Sequence, residues 1–150
     1  MPRWYFEDFE VGRKIVAGSR TVTEAEIIGF ATQFDPQPFH VDREAAEKSM
    51  YGGIIASGWH TCAMMMRVIV DGFLRDSSSL GSPGVDEIRW LKPVRGGDTL
   101  KVTVTALDTK ASTSKPDRGV VVTQWEATNQ HGDVVAVVKG RAMFGRRPVP

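Results

Sequence analysis

The sequence is short of cysteine and histidine, has almost no net charge, and contains no long apolar run. A single cysteine, Cys62, among 150 residues excludes an internal disulfide and any cysteine pair at metal-ligand spacing, which fits a reducing compartment. Cys62 itself reads as a small core residue. Nineteen basic against eighteen acidic side chains, a formal net charge of +1, are spread along the chain and leave no electrostatic footprint for nucleic acid. No stretch approaches the roughly 20 apolar residues needed to cross a bilayer. The first residues mix Trp4, Tyr5, Phe6 and Phe9 with Glu7, Asp8 and Glu10, unlike the basic start and apolar run of a signal peptide. The expectation is a soluble, cytoplasmic protein that binds neither membrane nor metal. Its length suits one domain spanning residues 1–150.

What is present begins with Lys14 to Val22, a short strand, followed by Thr23-Glu24-Ala25-Glu26, a capping-box pattern. The helix this opens should bury Ile27, Phe30, Ala31 and Phe34 and end where Asp35-Pro36 disfavours further helical geometry. Asp42 reads as the N-cap of a second helix, from Arg43 to about Met50, stopped by Gly52-Gly53. After Ser57-Gly58, residues 59–75 carry the strongest helical pattern. Positions 59, 62, 63, 66, 69, 70, 73 and 74 are apolar, while His60, Arg67, Asp71 and Arg75 form a polar stripe. Met64, Met65 and Met66 read as core filling.

The last third is β-rich. Leu100, Val102, Val104 and Ala106 alternate with polar residues, and Val85 to Leu91, Val120 to Thr128 and Val134 to Phe144 form further strand-like runs. Short turns between them predict an antiparallel meander. Gly140 marks a bulge or close backbone approach, and residues from Arg146 onward read as a frayed tail. The class is α+β, with an antiparallel sheet around one long helix.

The stretch with chemical promise is Asp35-Pro36-Gln37-Pro38-Phe39-His40. Its prolines exclude a regular helix and stiffen the loop. Fully extended, the spacing from carboxylate to imidazole would span about 17 Å, so the pair shares one small reactant only if the loop curls. The reading is that it does, with Asp35 and His40 facing each other across a water molecule. His60 and His131 are not assigned a chemical role, and Lys92, Arg95, Arg141, Arg146 and Arg147 are read as solvated cations.

Phe34-Asp35-Pro36-Gln37-Pro38-Phe39-His40-Val41-Asp42 resembles the hydratase motif of MaoC-like dehydratases and R-specific enoyl-CoA hydratases. The similarity extends to Tyr5-Phe6-Glu7-Asp8-Phe9, Gly52-Gly53, Ser57-Gly58, Pro93 to Thr99 and Asn129-Gln130-His131-Gly132. The resemblance implies a hot-dog fold, a homodimer with an acyl-CoA tunnel at the subunit interface, and reversible addition of water to a trans-2-enoyl thioester without a cofactor. It implies Asp35 and His40 as the catalytic pair and the Gly58 amide as donor to the thioester oxygen. Four positions depart from the family pattern. Gln37 stands where the family has Asn, Ser57 where a His is frequent, and the bulky Trp59 follows the helix glycine. Ala63 occupies the place of a serine that supports the Asp in some members, so any support for Asp35 must come from elsewhere.

The chemistry asks for three groups: one to take a proton from water, one to protonate Cα, and a donor for the enolate oxygen. Gly58, at the start of the long helix, offers an unpaired N–H at the positive end of the helix dipole. Two other activities fit the same sequence: an acyl-CoA thioesterase, in which water attacks the carbonyl carbon, and a non-catalytic acyl-CoA or lipid-binding dimer.

Overall fold

The computed structural model describes residues 1–150. A 3-10 turn at Phe6–Asp8 leads to β1 (Lys14–Thr21), then α1 (Glu24–Phe34), α2 (Pro38–Val41) and α3 (Arg43–Lys48), and on to α4 (Gly58–Gly72). A second 3-10 turn, Leu74–Asp76, precedes β2 (Gly84–Trp90), β3 (Thr99–Ala111), β4 (Arg118–Thr128) and β5 (Val134–Gly145). The five strands make one antiparallel sheet in the order β1-β3-β4-β5-β2. With α4 packed on it, this is the α+β hot-dog fold.

The meander holds for β3, β4 and β5 only. The β2 strand does not pair with β3; it crosses to the far edge and pairs with β5, while β1 covers the free edge of β3. Turn chemistry identifies neighbours joined by tight hairpins, and β2 and β3 are separated by a longer link, from Leu91 to Asp98. Gly140 lies opposite Val85 beside the register shift of β2. A Cβ there would come within 3.1 Å of the Val85 side chain, the close approach expected of it.

The core forms where α4 meets the sheet. Met64, Met65, Val68 and Ile69 pack with Leu100, Val102, Val104, Val121 and Val138. The periodicity misplaces this face. The buried stripe runs through Thr61, Met64, Met65, Val68 and Ile69 and includes His60, while Trp59 and Ala63 are exposed and Cys62, Met66 and Val70 half-buried. Two adjoining stripes of α4 are apolar, and a helical period cannot say which one meets the sheet. The helix also stops at Gly72 rather than Arg75, because its end abuts β1: a Cβ at Gly72 would overlap the Ala17 carbonyl. The Arg67–Asp71–Arg75 ladder forms as expected, both pairs at 2.7 Å.

In α1 the capping box is present: Thr23 Oγ1 accepts from the Glu26 amide at 3.1 Å and Glu26 accepts from the Thr23 amide at 3.2 Å. Ile27 and Ala31 are buried, Phe30 is half-buried, and Phe34 is 70% exposed, against the expectation that it joins the core. Nor is the start of the C-terminal segment loose. Arg146 and Arg147 pair with Glu7 and Asp8 at 3.1 and 2.7 Å, and the Arg146 amide donates to Asp117.

Candidate active site

The loop after α1 does curl, but by a route the prolines seemed to forbid. Asp35 is the C-cap of α1, its amide still donating to Ala31. Pro38 then opens the single turn α2, where a missing N–H costs nothing because a first-turn amide has no helical partner. This turn swings His40 back toward Asp35, so Nε2 lies 3.3 Å from Asp35 Oδ2. The pair is in direct reach rather than separated by the width of a water. Asp42 ends α2 and caps α3, accepting from the Ala45 amide at 3.2 Å.

Each catalytic candidate is held by further contacts. His40 is buried, and its Nδ1 lies 2.6 Å from the Ile55 carbonyl oxygen. A carbonyl can only accept, so Nδ1 carries a proton and Nε2 is the nitrogen turned toward Asp35. On Asp35, Ser57 Oγ donates to Oδ2 and Gln37 Nε2 to Oδ1, both at 2.7 Å. The Ser57 hydrogen bond outweighs partial burial and, with the hydrogen bond from Gln37 and the electrostatic influence of nearby His40, holds the Asp35 carboxyl below the usual carboxylate range. The extra methylene of Gln37 thus still reaches the acid, and Ser57 supplies the support that Ala63, exposed on α4, does not.

Gly58 is the first residue of α4, and its amide makes no backbone hydrogen bond. A Cβ at this position would overlap the indole of Trp90, so glycine is required by close packing as well as suited to ligand approach. Asp35, His40 and Gly58 all line one cleft of about 430 Å³, walled by Phe39, Ile55, Ala56, Trp59, Trp90 and Val94. Trp59 and Trp90 meet edge to face at 5.4 Å. All three residues singled out from the sequence therefore come together.

The chain matches the MaoC like domain model over residues 8–130. It belongs to the MaoC-like domain family. The uncharacterized protein YdeM of Bacillus subtilis is 37% identical over 68% of this chain and 72% of its own. The (R)-specific enoyl-CoA hydratase of Rhodospirillum rubrum is 29% identical over 67% and 68%. The crystal structure of a MaoC-like dehydratase from the same organism superposes with a TM-score of 0.89 at 41% identity, covering 97% of this chain and 99% of that one.

Sequence reasoning treated Ser57 only as a departure from the MaoC-like pattern, and it read Lys92, the one lysine or arginine lining the cleft, as a solvated cation. Lys92 pairs with Asp133 at 3.1 Å. Of the other cations, Arg141 pairs with Asp86, and Arg95 donates to the Tyr51 carbonyl at 2.6 Å. Cys62 is half-buried and packs against the margin of the core; burial raises its thiol pKa. His60 is stacked on Phe30 at 4.6 Å, and its Nδ1 has no hydrogen-bond partner.

Proposed function

We propose that this protein is a hydro-lyase that adds water reversibly across the double bond of a trans-2-enoyl-CoA thioester to give a 3-hydroxyacyl-CoA. The observation that carries the reading is the 3.3 Å approach of His40 Nε2 to Asp35 Oδ2 at a cleft that also holds the unpaired Gly58 amide. With His40 neutral, both facing atoms are acceptors. A water placed between them and the cleft donates one O–H to each and turns a lone pair toward substrate Cβ.

As the C–O bond forms at Cβ, the π electrons of the alkene move onto the thioester oxygen, where the Gly58 N–H and the α4 dipole stabilise the enolate. The proton leaving water passes to His40 Nε2, because Asp35 is held as the carboxylate and makes the weaker base. The imidazolium so formed is stabilised by Asp35 and returns its proton to Cα as the enolate collapses. Proton transfer and hydrogen bonding complete this cycle, and it calls on no cofactor.

The reading includes a homodimer. The outer edge of β2 is unpaired in one chain, and Val85, Trp90 and Trp59 are 51%, 46% and 58% exposed beside it. An uncovered edge flanked by apolar side chains favours pairing with a second copy.

The test uses crotonyl-CoA and follows both the enoyl-thioester absorbance and free thiol. Loss of absorbance to an equilibrium without thiol release supports hydration. Thiol release would identify a thioesterase, and binding without either change would identify a binding protein.

A further inference from the structure

Serine at a helix N-cap ordinarily accepts from an amide of the first turn, a contribution of about 1 kcal/mol to helix stability. Ser57 occupies the N-cap of α4 but makes no such bond. Its hydroxyl, on a residue with no exposed surface, donates instead to Asp35 Oδ2 at 2.7 Å. That oxygen is the one facing His40 Nε2 at 3.3 Å. Ser57 is fully buried behind the cleft wall and does not line it.

We infer that Ser57 is a positioning residue, whose hydroxyl fixes the Asp35 carboxylate in its ionised form with Oδ2 aimed at His40. Three features combine to carry this. The hydroxyl is diverted from the cap its backbone position would give it, so capping does not account for the serine. It spans 22 residues of sequence to bind the acid, tying the start of α4, and with it the Gly58 amide, to the end of α1. The oxygen it binds is the one the reaction uses, whereas Gln37, which is exposed, holds the other. A hydrogen bond from a neutral donor to a carboxylate favours the charged form and fixes one rotamer. The oxyanion donor and the acid–base pair are thereby set in one frame.

The inference rests on the hydratase reading for its kinetic part but not for its electrostatic part, and the experiment separates the two. Ser57→Ala and Ser57→Cys remove the strong donor at little change in volume, and Ser57→Thr restores it. Circular dichroism and thermal melting establish that each variant is folded, and no lost cap should lower the melting point of Ser57→Ala. The carboxyl carbon of Asp35 is then titrated by NMR in each protein, and crotonyl-CoA hydration is measured against pH.

The expected result is that Asp35 titrates at higher pH in Ser57→Ala and Ser57→Cys and returns in Ser57→Thr. In the same two variants kcat falls by about tenfold to a hundredfold, the worth of one hydrogen bond to a charged group, with KM within about twofold. An unmoved Asp35 titration in folded Ser57→Ala overturns the inference, even if the wild type hydrates its substrate. If the titration moves but the wild type hydrates no enoyl thioester, the Ser57 contact stands and the assigned reaction falls.

Discussion

Among single residues, His60 carries the clearest pH signature. It is only 7% exposed and its Nδ1 has no partner, so burial pushes the imidazole below its ordinary range. The unfolded chain then binds a proton that the native protein resists, and stability falls with pH once the solution drops below about 6.5. Chemical denaturation should show a constant midpoint above that pH and a decline beneath it, with the decline shallower in His60→Leu. Asp35 acts in a separate window: its depressed carboxyl contributes stability that is lost only below about pH 4, the ordinary carboxylate range. At Gly58, alanine should displace Trp90 and cost about 1–3 kcal/mol by overpacking, measured by urea unfolding, together with a fall in kcat. Asp35, His40 and Gly58 stood out because the spacing of the acid and imidazole, and above all the resemblance to the hydratase motif, pointed to them, and the fold brings all three to one cleft. Ser57 did not, since a serine before a helix glycine looks like an ordinary cap and only the fold brings it to a residue 22 positions away.

At the scale of elements, local signals were read well and long-range ones were not. The capping box of α1 and the Asp42 cap of α3 both form, because each is decided within four residues. Thr23→Ala should therefore lower stability by about 1 kcal/mol in urea unfolding. The single turn α2 was hidden by treating both prolines as breakers, when Pro38 stands at the one helical position that tolerates it. For α4 the helix itself was plain, but its two apolar stripes left the orientation to be chosen by the sheet. The place of β2 beside β5 was likewise out of reach, because strand pairing across many residues leaves no turn signature.

For the whole molecule, the sheet ends on β2 with an unpaired edge, and Trp90 of that strand lines the cleft together with Trp59. Light scattering should give twice the mass of one chain, and Val85→Lys, which puts a charge on that edge, should shift the population toward monomer. A wild-type monomer at every concentration would remove the dimer from the account. The central claim is that Asp35 and His40 act together on one water. It is tested most directly by kcat/KM for crotonyl-CoA hydration in folded Asp35→Asn and His40→Gln. Each should fall by about 10²- to 10⁴-fold, and the double variant should fall little further, as residues acting as a unit do. Wild-type rates in either single variant would contradict it.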